Sequence, residues 1–193
     1  MNKDSDITPL NTLSPTVKEA YTNLKWAGRL GFWIQLVLGV ISTVVLFLAI
    51  ATSGQSSTPG TGFGIFCAAC GLVSLAIAIY FASRYGKIAK LLVTGTLNRP
   101  TKASTIKIIQ LGLIVNIVGM LLTILGAETI VGIVLKKSLA LSPGVVGFGK
   151  SPEEFVTPLD LLIIQANTNT IAAHFAGIVT SLWLLKKMNK QSK

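Results

Sequence analysis

A chain of 193 residues with 51% hydrophobic and only 12% charged side chains, at a mean hydropathy of +0.67, would expose too much apolar surface to be a water-soluble monomer. Its 17 Lys and Arg against 7 Asp and Glu give a formal net charge of +10, but the basic residues gather in short stretches between apolar runs, a pattern of membrane topology that argues against a nucleic-acid partner. A single histidine allows neither a hydrolytic triad nor a histidine metal pair, so no enzyme is expected.

Residues 1–29 read as a polar cytoplasmic arm. The stretch contains Asp4, Asp6 and Glu19 and has neither the apolar core of a secretory signal nor the Arg-rich, acid-poor bias of a transit peptide. Ser14 followed by Pro15 is a helix-start signal within it. From residue 30 to residue 83 there is no formal charge, and only the stretch TSGQSSTPGTG (52–62) interrupts the apolar sequence. About 20 apolar helical residues cross a hydrocarbon core of about 30 Å, so 30–51 and 63–83 are each predicted to span a membrane, joined by a Gly/Ser/Pro-rich turn.

A third span is predicted over 108–127. Whether it ends there, with Glu128 at the headgroups, or runs on to residue 135 as a tilted helix is left open by the sequence. A fourth span covers 161–185, and 186–193 form a basic tail. The apolar runs do not alternate as a lipid-facing barrel requires. The fold class is therefore all-α, an integral membrane protein with one four-helix transmembrane domain over 30–185 between arm and tail.

The basic residues orient this bundle. Four Lys or Arg precede residue 30, six lie between Arg84 and Lys107 and four follow Leu185, while Lys136, Lys137 and Lys150 are the remainder. Short loops rich in Lys and Arg stay on the cytoplasmic side, so both termini and the 84–107 connection are expected there. Arg84, Lys87 and Lys90 are placed to meet anionic headgroups.

Small and polar residues recur at heptad spacing: Gly112, Asn116, Gly119, Thr123 and Gly126 in the third span, Asn167, Thr170, His174, Gly177 and Ser181 in the fourth, and Gly64, Cys67, Gly71, Ser74 and Ala78 in the second. Lipid gives no hydrophobic reward for helix association, so such stripes are read as packing seams. Setting the inner ends of spans three and four level, Lys107 against Lys186, puts His174 near Gly119, Asn167 near Gly126 and Asn116 near Gly177.

His174 lies near mid-bilayer, where an ionisable group is by default a functional-site hypothesis. Its alternatives are a neutral imidazole bonded to an Asn or Thr of a neighbouring helix, a metal ligand, a proton relay or a pigment ligand. Cys67 and Cys70 form a C-A-A-C that lacks both a thioredoxin context and the four ligands of a zinc site, so two buried thiols compete there with a soft-metal pair. Counted from the helix ends, Cys67, Cys70, Glu128, Gln165 and Asn167 fall in one outer polar layer above Asn116 and His174. Carboxylate, amide, thiolate and imidazole together suit a transition-metal cation. No resident cofactor is indicated; a divalent metal such as iron would be cargo.

Residues 31–39 (GFWIQLVLG), 59–66 (PGTGFGIF), 111–128 (LGLIVNIVGMLLTILGAE) and above all 158–177 (PLDLLIIQANTNTIAAHFAG) resemble a family of four-span membrane proteins of uncharacterised domain from cyanobacteria and plastids. Its plastid members are known as a small subunit of the inner-envelope translocon and, under another name, as a permease in chloroplasts proposed to carry iron. The resemblance implies two rival functions: a permease for iron or another divalent metal, or an assembly subunit of a protein-translocation complex. It also implies a cyanobacterial inner membrane, plasma membrane or thylakoid, and a homo-oligomer or larger membrane complex in the lipid bilayer.

Overall fold

The computed structural model describes residues 14–52, 60–94, 100–140 and 156–190. The distal arm, residues 53–59 of the expected turn, Arg99, Lys150 and the last three residues of the tail lie outside the described residues. Among the described residues there are four helices: α1 (Pro15–Thr52), α2 (Thr61–Val93), α3 (Lys102–Ala140) and α4 (Pro158–Lys190). All four are long and apolar enough to cross a membrane.

Each helix outruns the apolar stretch that predicts it, because the flanking Lys, Leu and Ala residues also favour helix and pack. Leu24 and Ala27 precede the first apolar run, yet both are buried with Tyr85, Ile88, Ile109 and Leu184. Start signals fix the N-termini. Pro15 opens α1 after Ser14, whose carbonyl accepts the first helical N–H bonds, and Thr101 Oγ1 accepts from the Ser104 N–H at the start of α3. At α4 Thr157 and Asp160 bond reciprocally: the Thr157 N–H donates to Asp160 Oδ2 (3.0 Å) and the Asp160 N–H to Thr157 Oγ1 (3.3 Å), with Pro158 in the first helical position between them. This is a capping box built with Asp. The third helix does not end near residue 127; it continues through Glu128 to Ala140.

The helices stand at the corners of a square in chain order, α1 beside α2 and α4, and α3 beside the same two. Contacts run antiparallel at every edge: Gly28 and Gly39 lie against Tyr85 and Leu75, Gly71 and Gly64 against Thr123 and Ile130, Gly31 and Ser42 against Thr180 and Ala166. The result is an up-down-up-down bundle.

Its interior is layered. An apolar cluster around Leu24, Tyr85, Ile109 and Leu184 fills the end that holds the two termini. Ala49, Ile130 and Ile163 fill the opposite end. Between them a row of polar side chains, Gln35, Ser42, Asn116, Thr123, Asn167, Thr170, His174 and Ser181, is buried beside Leu46, Leu75 and small residues such as Ala68 and Ala166. Outside, the order is reversed, with Phe47 70% and Phe66 65% exposed amid Val, Ile and Leu. Large apolar side chains outside and polar ones buried within are what a lipid solvent selects.

Candidate functional site

Every helix contributes one polar group to a node at the centre of the square. Gln35 of α1 reaches across the diagonal, and its Nε2 donates to Asn116 Oδ1 of α3 at 2.7 Å. Asn116 Oδ1 also faces His174 Nδ1 of α4 at 3.2 Å, and the other ring nitrogen, Nε2, faces the Gly71 carbonyl oxygen of α2 at 3.2 Å. Gln35, Asn116 and His174 are all buried. Glycines make the room. A Cβ on Gly119 would run into the His174 ring and Ser74 Oγ, one on Gly177 into Gln35 Nε2 and Asn116 Oδ1, and one on Gly71 into Thr123 Oγ1.

The hydrogen supply of this node can be counted. Asn116 Nδ2 donates to the Gly112 carbonyl at 2.8 Å, so its Oδ1 must turn to Gln35 and His174; flipping the amide would set oxygen against oxygen. Both ring nitrogens of His174 therefore face oxygens that can only accept. A neutral imidazole has one N–H and satisfies one of these contacts, whereas an imidazolium satisfies both. Two turns along α4, Asn167 Nδ2 donates to the Ile163 carbonyl at 3.1 Å. Its buried Oδ1 has no hydrogen-bond partner among the described residues. The middle of the bundle is rich in acceptors and short of hydrogens.

The expected outer layer is level but does not converge. The register that sets Gly119 against His174 puts Glu128 level with Gln165, yet both are exposed, and Gln165 Nε2 bonds to Asn169 of its own helix (3.2 Å). Cys67 is buried and Cys70 half-buried, and both are free thiols. Among the described residues no three His, Cys, Asp or Glu side chains come together to hold a metal ion. Of the expected packing glycines, Gly112 meets Tyr85 and Phe81, Gly64 meets Ile130, and Gly126 turns to Cys67 and the α2 backbone rather than to Asn167.

Two features escape a reading from apolar runs. One is Gln35, a polar residue at heptad spacing from Gly28, Gly31 and Ser42. The other is a buried ion pair, Lys137 Nζ to Asp160 Oδ2 at 2.9 Å, joining α3 and α4 at the end away from the termini. Its signal is the T-P-x-D capping pattern at 157–160, which places Asp160 inside the helix.

Protein TIC 21, chloroplastic, of Arabidopsis thaliana is 29% identical over 194 residues, covering 97% of this chain and 64% of its own length. The chain thus spans less than two thirds of the length of that relative. No solved structure matches. The family model described as protein of unknown function (DUF3611) matches residues 14–189, which takes in all four helices and the central node, and the chain belongs to that family.

Proposed function

We propose that this chain is a multi-pass inner-membrane protein, termini on the cytoplasmic side, that passes a small cation, with iron or another divalent metal as cargo. The observation that supports it best is the acceptor-rich node: oxygens and ring nitrogens short of hydrogens offer a positive charge partners that offset part of the cost of burying it in a low-dielectric core. His174 is the group that takes up charge, Asn116 and Gln35 hold its ring, and Asn167 is the next acceptor along α4. Glu128 and Gln165, exposed and level with one another, are the polar groups a cation from the opposite face meets first.

Uptake of Fe²⁺, Mn²⁺ and Zn²⁺ into liposomes holding only the purified chain tests this reading. The wild type should accumulate at least one of them. His174→Asn should fold and insert normally, since one mid-membrane hydrogen bond is worth only about 0.6 to 2 kcal/mol, yet lose uptake by about tenfold or more. Normal flux in that variant would return the histidine to packing.

A second reading, an assembly subunit of a protein-translocation complex, draws on the tightness of the node. The interstice between Gln35, Asn116, Tyr85 and Ser181 is too small for a water molecule. A single copy at rest thus offers no passage at this level, and flux would need an opening motion or an assembly of copies. A folded wild type silent for every metal would favour the subunit.

The orientation has support of its own. Tyr21, Trp26 and Trp183 lie toward the end where α1 begins and α4 ends, and Trp26 packs at a tilt against Trp183 at 5.9 Å. Such aromatics anchor a membrane interface, and the basic flanks make that interface cytoplasmic. In a Cys67→Ser, Cys70→Ser background, Lys102→Cys should react with an impermeant maleimide only from the cytoplasmic side. Labelling from outside alone would invert the topology.

A further inference from the structure

At the termini end α1 and α2 do not close on each other completely. They touch where Gly28 meets the backbone of Gly86, and a Cβ on Gly28 would stand 3.0 Å from the Gly86 nitrogen. On its other side Gly86 faces open space, with nothing within 4 Å of the position a Cβ would take. The result is a groove of about 330 Å³ whose walls carry Lys25 and Arg29 from α1 and Lys87 and Lys90 from α2. The only ion pair among the described residues is at the far end of the bundle, so these four cations have no carboxylate partner there. Lys25 Nζ donates to the Tyr21 hydroxyl at 2.9 Å, which holds it over the groove wall.

The groove lies where both helices change character. Arg29 is the last charge before the uncharged run of residues 30–83 and Arg84 the first after it. Basic side chains therefore line one end of the groove, while Phe32 and Trp33 line the other; Trp33 is 57% exposed. A ligand that fits must be anionic at one end and apolar at the other.

We propose that this groove binds one anionic membrane lipid, its phosphate among Lys25, Arg29, Lys87 and Lys90 and its acyl chains along Phe32 and Trp33. A free phosphate would use the basic end and leave the aromatic end unfilled. The site rests on the membrane placement argued above and is independent of any cation flux.

Native mass spectrometry of the detergent-solubilised chain, titrated with phosphatidylglycerol and separately with phosphatidylcholine, tests it. One phosphatidylglycerol should be retained at concentrations where phosphatidylcholine is lost. Arg29→Gln with Lys87→Gln should weaken retention by about 30-fold, the equivalent of about 2 kcal/mol, as expected for two basic residues near a headgroup. Gly86→Leu, which fills the groove and removes no charge, should weaken it by a similar factor. Lys107→Gln, a basic residue of the same end outside the groove, should change nothing. Unaltered retention in Gly86→Leu, an equal loss in Lys107→Gln, or displacement of the lipid by millimolar inorganic phosphate would each overturn the proposal. Because lipid retention and metal uptake are measured separately, failure of the permease reading leaves this result intact.

Discussion

Gly119→Leu should destabilise the bundle by about 3 to 5 kcal/mol, read as a large fall in the unfolding temperature of the detergent-solubilised chain. The first atom of a side chain at this position already runs into the His174 ring and Ser74 Oγ, and forcing carbon into a packed core typically costs about 1 to 3 kcal/mol. The ring cannot swing aside freely. Each of its nitrogens faces an oxygen, Asn116 Oδ1 at 3.2 Å and the Gly71 carbonyl at 3.2 Å, and stripping a buried polar group of its partner costs a further 1 to 3 kcal/mol or about that. The matched control is Gly132→Leu on the same helix, where nothing lies within 4 Å of the added Cβ. There the exchange removes a poor helix former and should be neutral or stabilising by up to about 1 kcal/mol. Equal unfolding temperatures for the two variants would mean that Gly119 is not a packing contact and that the node tolerates rearrangement.

The four spans were legible because a helix long enough to cross a bilayer leaves an uninterrupted apolar run. Where the helices end was not, since Lys, Glu, Ala and Leu residues in flanks such as 18–29 continue a helix readily and pack once a neighbour is present. The relative setting of α3 and α4 followed from levelling Lys107 with Lys186, and Gly119 and Gly177 do lie against His174 and Asn116. Gly126 lies elsewhere for a geometric reason. In a square bundle α3 has two neighbours, and a stripe read against α4 alone ignores the share taken by α2, which receives Gly112 and Gly126. Gln35 went unread because a lone amide in an apolar run shows no partner; only its long side chain, crossing the diagonal to Asn116, makes it part of the site. Glu128 left the end of the third span open, because a carboxylate after an apolar run can either close a helix at the headgroups or sit within a longer, tilted one. The capping box at Thr157 and the ion pair it holds carry α4 outward past Asp160 and give α3 a partner as far as Lys137.

That ion pair carries the second large effect. Lys137 and Asp160 are only 8% and 3% exposed, and Asp160 Oδ2 accepts three donors: Lys137 Nζ at 2.9 Å, the Thr157 N–H at 3.0 Å and the Thr157 hydroxyl at 3.0 Å. Removing one partner of a buried pair leaves an uncompensated charge and costs about 3 to 5 kcal/mol, whereas replacing both by apolar groups of similar size is often neutral or better. Lys137→Met should therefore unfold far more easily than the wild type. Asp160→Leu should lose about 1 kcal/mol for the missing cap plus the strain of a lysine that must lead its ammonium back to water along its stem. The double variant, Lys137→Met with Asp160→Leu, should then be more stable than the sum of the single losses predicts, by a coupling of about 2 kcal/mol or more. Salt gives an independent check: a pair this buried is little screened, so the coupling should survive 1 M NaCl, where the Debye length is about 3 Å. Additive single losses, or a coupling that vanishes in salt, would make the contact a surface ion pair worth less than about 1 kcal/mol. The far end of α3 would then be held to α4 by the Ile130 and Ile163 cluster alone.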